Sequence, residues 1–352
     1  MPCLELAVDS KCLMLMRWNL WLSRGILRGG RQCRHLRGMA TQGDDASAGT
    51  SEKKTSDGTV TAGIIIIGDE ILKGYTQDIN SFYMCKKLRS LGVQVAKISV
   101  IPDEVDAIAK EISTFASTYT YVLTSGGIGP THDDVTFEAV AQAFGEKVFP
   151  HPDMVELVKQ FFGKLDAECP EMKLARVPES SLLNYGVDKT TGRAFPYPLV
   201  SVRNVYIFPG IPALMKRALE GLGHLFLNEK TRFCSQEIYV NAEETLIAPV
   251  LTQANASFGR RTSLGSYPDW GSNYFRVKLT LDSDSKVDLE EAYSYLMEKL
   301  PDGVVVPVVA DPVSRAASDV LDFSYQKKAE TSGSSSEELE EVRSDKRPPS
   351  KK

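Results

Sequence analysis

The sequence offers no cysteine framework. Its six cysteines, at positions 3, 12, 33, 85, 169 and 234, form no CxxC pair and no metal-ligand spacing, which fits reduced thiols rather than a disulfide scaffold. Histidine is scarcer still: the four present make no HExxH or similar signature, and this argues against a zinc hydrolase. No uninterrupted apolar run approaches the ~18 residues of a membrane span, so no membrane partner is expected. Acids are missing altogether between Met16 and Ala40, where six arginines stand (Arg17, Arg24, Arg28, Arg31, Arg34, Arg37). Without those six positive charges the formal −5 becomes about −11 on the remainder. A body so acidic argues against nucleic-acid binding, which relies on cationic neutralisation of phosphates.

What is present is ordinary for a soluble globular protein. Hydrophobic residues make up 42% and charged residues 25% of 352 positions, enough for two domains with cores of their own. The arginine-rich segment also carries Trp18, Leu20, Trp21, Leu22, Ile26 and Leu27, the composition of a mitochondrial transit peptide. A basic surface helix is the plainer alternative. Use of the segment implies the mitochondrial matrix; a start at Met39 implies the cytoplasm. Residues 41–58 are polar linker, so 1–58 reads as transit-like segment plus linker. Residues 308–352 read as a tail without a core-forming pattern, expected to be disordered.

Between these ends strands and helices alternate. Ala62 to Ile67 is a continuous run ending in four β-branched isoleucines, typical of a strand buried on both faces. From Asp78 to Leu91, Ile79, Phe82, Cys85, Leu88 and Leu91 recur at helical spacing, with Asp78 as a cap and Gly92 as a stop. A second strand (93–100), a second helix (103–117), a third strand (121–123) and a third helix (134–144) follow. That alternation implies a mainly parallel sheet with helices on both faces. Residues 164–198 read as irregular. Leu199–Val202 and Val205–Phe208 flank Arg203-Asn204 as a hairpin, and Pro212 opens a further helix to about 221. From Ile238 onward, strands (238–240, 274–281) and helices (243–254, 287–299) indicate a smaller α+β domain. The loop Leu264 to Gly271 between them reads as a packed connection, with a ligand lid as the alternative.

In parallel sheets ligands bind beyond the carboxyl ends of the strands. Three such ends carry acids: Asp69 and Glu70 with Asp78 further on, then Asp103 and Glu104, then Asp133 and Asp134. The third loop also holds Gly126, Gly127 and Gly129, whose backbone can approach a ligand closely and whose N–H groups can cradle a phosphate. Carboxylates beside a phosphate call for a hard, oxygen-seeking cation such as Mg²⁺ between them. Helix capping accounts for some of these acids, but doubled acids in three converging loops favour a metal–nucleotide site.

The loop Thr124-Ser-Gly-Gly-Ile-Gly-Pro-Thr-His-Asp-Asp-Val-Thr136 resembles the signature of molybdopterin-binding MoaB/Mog-type domains. Gly68-Asp-Glu-Ile-Leu-Lys-Gly74 with Asp78 and Asn80 resembles the CinA-like branch. Residues 60–299 are similar to the N-terminal half of animal FAD synthases, most specifically over Val60 to Gly74, Pro198 to Tyr206 and Leu264 to Tyr274. The resemblance implies an α/β fold. A three-layer MoaB/Mog-like domain with a mainly parallel sheet is expected over 59–228, and a smaller α+β domain over 229–307. It also implies metal-dependent hydrolysis of FAD to FMN and AMP. Asp103 and Asp134 then match the family's acidic pair and are the catalytic candidates. Ser125, Gly126, Gly127, Gly129 and Thr131 are the phosphate and ligand contacts, and Asp133, Asp134 and Asp69 the ligands of a divalent metal. His132 is a candidate general acid. The ligand is FAD, FMN or another phosphate-bearing nucleotide; the protein partner is a second copy or a full-length FAD synthase. The sequence has no Ser-Gly-Gly-Lys-Asp-type loop, P-loop or Rossmann GxGxxG, so transfer of adenylate from ATP to FMN is not expected of these residues. The alternative is a non-catalytic module that binds a flavin, a nucleotide or molybdopterin.

Overall fold

The computed structural model describes residues 59–163, 166–187 and 192–307. The transit-like segment, the linker and the polar tail lie outside the described residues. The first eight strands are β1 (Thr61–Ile67), β2 (Gln94–Ile101), β3 (Tyr121–Ser125), β4 (Val148–Pro150), β5 (Arg176–Pro178), β6 (Leu182–Asn184), β7 (Leu199–Val202) and β8 (Val205–Phe208). Six of them form one sheet in the order β2-β1-β3-β8-β7-β6, while β4 and β5 pair separately. β1 is parallel to β2 and β3, and β3 is parallel to β8. The β8–β7 and β7–β6 pairs are antiparallel.

Helices cover both faces because successive residues of a central strand point to opposite sides. On one side Ile64, Ile66, Leu123 and Phe208 pack against Met84 and Leu88 of α2 (Asn80–Ser90) and Met215 and Leu219 of α6 (Pro212–Gly221). A short α1 (Asp69–Leu72) precedes α2. Against the other side lie α3 (Val105–Thr118) and α4 (Thr136–Phe144), burying Ile108, Ile112, Phe115, Phe137 and Val140. Phe115 comes so close to β1 that a Cβ on Gly63 would stand 2.4 Å from its ring. This is the three-layer α/β arrangement that the alternation predicts.

Several elements differ from the sequence reading. Of the expected face of α2, Leu88 is buried and Cys85 and Leu91 pack partly buried against the core, but in the first turns the buried side chains are Asn80, Ser81 and Met84, whereas Phe82 is 67% exposed and Ile79 is also exposed. The apolar period misleads at that start because Asn80 turns inward to bond two neighbouring loops and Ser81 turns back to Asp78. Between 145 and 163, α5 (Pro152–Phe162) starts with proline in its first turn and with His151 accepting the Asp153 N–H. The stretch expected to be irregular holds a 3-10 turn (Pro170–Ala175) and the short strands β5 and β6.

A second sheet of β9 (Cys234–Val240), β10 (Ser263–Pro268), β11 (Val277–Ser283) and β12 (Val305–Val306) has the order β10-β11-β9-β12, all antiparallel. Ile238, Val240, Leu279 and Leu281 form its core with Ile247 of α7 (Glu244–Phe258) and Leu289 and Leu296 of α8 (Lys286–Lys299). Most of the expected connection at 264–271 is therefore edge strand β10. Its turn leaves Trp270 92% exposed.

Candidate functional site

β1, β2, β3 and β8 run in one direction, so their carboxyl ends share an edge. The loops there touch through glycine. At Gly126 (φ +116°) a Cβ would lie 2.0 Å from the Ile67 carbonyl, and a Cβ on Gly210 would lie 3.2 Å from the Gly126 Cα. Only glycine permits that approach and that backbone angle together. Asn80, at the start of α2, ties the same loops: its Nδ2 donates to Ser125 Oγ (3.0 Å) and to the Gly210 carbonyl (2.7 Å). Ser125 Oγ in turn donates to the Pro209 carbonyl (3.1 Å), so this hydroxyl is engaged inside the crevice floor. Asn80 Oδ1 is buried with no partner among the described residues.

The acids divide by what they do. Asp78 caps α2, accepting the N–H groups of Asn80 and Ser81 at 2.9 and 3.0 Å. Neither α3 nor α4 has a side-chain cap. Asp103 Oδ2 instead accepts the Asp69 N–H at 2.9 Å, joining the loops after β2 and β1. Burial pushes the Asp103 carboxyl above the ordinary range, with like charge from Glu70, Asp69 and Asp133 adding to it and the Asp69 amide opposing. Asp69 bonds Lys73 at 2.7 Å, and that lysine holds its carboxyl below the ordinary range. Thr136, the first residue of α4, turns back to donate to the Gly126 carbonyl at 2.9 Å.

Asp133 Oδ1 and Asp134 Oδ2 both stand 2.5 Å from Thr131 Oγ1, and Asp134 also accepts the Thr131 N–H at 2.9 Å. One hydroxyl has a single proton to give, so two carboxylates and an oxygen meet around one proton. These are the hard oxygen donors that Mg²⁺ or a similar cation takes. Among the described residues, though, no three His, Cys, Asp or Glu side chains converge to hold a metal. His132 is 98% exposed, its Nδ1 4.0 Å from Asp133.

The N–H groups of Gly127, Ile128 and Gly129 donate to no acceptor among the described residues. The same loop is reached at Thr131 by a cation that no local pattern in the sequence marks. Lys173, from the 3-10 turn, donates to the Thr131 carbonyl at 2.7 Å and lies 3.9 Å from Glu138. A separate hollow of about 320 Å³ on the small sheet is lined by Ser235, Glu237, Tyr267, Lys278, Thr280 and Asp282. Its charges are already satisfied: Glu237 binds Lys278 and Tyr239, and Asp282 binds Arg89. The strand-end crevice has the unspent donors and is the better candidate.

A family model described as "Probable molybdopterin binding domain" matches residues 63–229, and one described as "FAD synthase, middle domain" matches 232–309. A protein of Archaeoglobus fulgidus is 35% identical over 224 residues, covering 64% of this chain and 92% of that protein. The chain belongs to the molybdopterin-binding domain family. It carries, in addition, the middle domain found in FAD synthases. A protein named "Probable FAD synthase" from Caenorhabditis elegans is 35% identical over 263 residues, covering 70% of this chain and 51% of its own length. The chain thus spans about half the length of the curated FAD synthases it matches. Among solved structures it is similar to the CinA protein of Thermoplasma acidophilum (28% identity, TM-score 0.43, covering 48% of this chain and 99% of that one). It is also similar to MoaB of Thermus thermophilus (22%, TM-score 0.31, 47% and 91%). No helix among the described residues is long and apolar enough to cross a membrane.

Proposed function

We propose that the strand-end crevice binds FAD and hydrolyses its diphosphate, giving FMN and AMP. The observation that carries this reading is the pairing, on one edge, of acids that cap neither α3 nor α4 with three amides that have no acceptor among the described residues. Amides at Gly127 to Gly129 suit phosphate oxygens. Asp133 and Asp134, with Thr131, would hold a divalent metal that the substrate completes, since Mg²⁺ is commonly bound by one or two carboxylates plus substrate phosphates. Such a metal supplies charge neutralisation at the phosphoryl oxygens. Asp69 contributes to the same negative field. Asp103, a stronger base than a free aspartate because burial raises it, takes the proton of the attacking water. Water's oxygen bonds to phosphorus as the bridging P–O bond breaks, and the proton ends on the leaving phosphate. The kinship with FAD synthases supports a flavin nucleotide as the ligand.

A non-catalytic flavin-binding module is the second reading, favoured by the absence of three converging acids among the described residues. Incubating the chain with FAD, with and without Mg²⁺ or Mn²⁺, and separating FMN and AMP decides between them. Metal-dependent AMP release is expected. Tight FAD binding without AMP release selects the module, and no binding at all removes both.

A further inference from the structure

Five carboxylates stand around the crevice loops: Asp69, Asp103, Asp133, Asp134 and Glu138. A dianionic ligand needs compensating charge there. Lys73 is committed to Asp69 at 2.7 Å. Lys173 is committed to a neutral group, the Thr131 carbonyl at 2.7 Å, while Glu138 at 3.9 Å is beyond hydrogen-bond reach. An ammonium has three donors, and among the described residues only one is taken by a hydrogen bond, with Glu138 standing off as an ion pair. The position is fixed from behind: Met172 and Leu174, on either side, are buried at 8% and 4% exposure. The 3-10 turn thus anchors a half-buried ammonium at Thr131, the end of the glycine loop whose amides of Gly127, Ile128 and Gly129 have no acceptor among the described residues.

We infer that Lys173 is a phosphate-binding residue, the cationic arm that closes on one phosphate of a diphosphate ligand held by the Gly127–Gly129 amides. This rests on the reading of the crevice as a nucleotide diphosphate site. A charged donor beside backbone amides gives an anion both geometry and charge. A purely structural lysine would only pin the Thr131 carbonyl, and the two roles separate by substitution. Lys173→Gln keeps a donor for that carbonyl without the charge; Lys173→Arg keeps the charge; Lys173→Met removes both.

The experiment measures dissociation constants for FAD and for inorganic pyrophosphate in the full chain, with thermal unfolding of each variant alongside. Gln and Met should both weaken the two ligands roughly 10- to 100-fold, the range of one charge-assisted hydrogen bond. Arg should hold within a few-fold, and the wild type's loss of affinity with added salt should flatten in Gln and Met. Wild-type affinity in Lys173→Gln, with loss only in Lys173→Met, overturns the phosphate contact in favour of loop support. Unchanged affinity in both overturns any role. Failure of the wild type itself to bind either ligand overturns instead the underlying reading of the crevice.

Discussion

Asp103 is an acid partly withdrawn from water, and its effect on stability has a definite sign. Burial raises its carboxyl in the folded state, so folding favours the protonated form. The stabilising contribution is fully present below the unfolded value of ~3.9 and is lost as pH rises through the raised folded value. At neutral pH the ionised group is therefore a burden. Asp103→Asn keeps an oxygen to accept the Asp69 N–H and removes the charge. Without added metal, its melting temperature should exceed the wild type's at pH 7, and the gap should close as pH falls toward 4. Turnover of FAD should drop by about 100-fold, the scale of one lost catalytic interaction. A melting gap that ignores pH would rule out burial as its cause, and full turnover would remove Asp103 from the chemistry.

At the scale of elements, α2 tests which face carries the core. Met84 is fully buried and Phe82 is 67% exposed. Met84→Ala should cost about 2–5 kcal/mol, the range for a buried methionine truncation, whereas Phe82→Ser should stay within about 0.5 kcal/mol, as surface changes do. Urea denaturation of both variants checks this, and a reversed order would restore the face that the apolar period predicts. The first turn of α2 was illegible because Asn80 points inward to hydrogen-bond across the fold, to Ser125 and Gly210. Other elements were plain in the sequence. β1 announces itself as seven consecutive buried residues, and the β7–β8 hairpin turns at Arg203 with φ +53°, where Arg203-Asn204 reads as a turn. The three-residue strands β4, β5 and β6 are too short to show a period, and β10 carries glycine and proline that read as loop. At the site, the strand-end loops follow from the alternation alone. Separating a capping acid such as Asp78 from Asp103 required a partner 34 residues away, and Lys173 reaches Thr131 across 42 residues. No local pattern encodes either contact.

On the scale of the whole molecule, the two sheets have separate cores. One ion pair linking them, Arg89 to Asp282 at 2.5 Å, has both side chains well exposed, at 44% and 38%. Such pairs contribute at most about 1 kcal/mol, too little to make two cores unfold as one. Calorimetry should therefore resolve two transitions, since chains with independent domains depart from two-state behaviour. Core truncations assign them: Leu123→Ala should lower only the transition of the six-stranded domain, and Leu279→Ala only that of the four-stranded one. A ligand that binds the folded form stabilises the domain containing its site by about 2.7 kcal/mol at a hundredfold excess over its dissociation constant. With the crevice at the ends of β1, β2, β3 and β8, FAD should move the Leu123-sensitive transition and leave the Leu279-sensitive one in place. A shift confined to the latter would relocate the ligand to the small sheet, whose hollow around Tyr267 and Lys278 would then be the site. The strand-end acids would lose their assigned role in the same measurement.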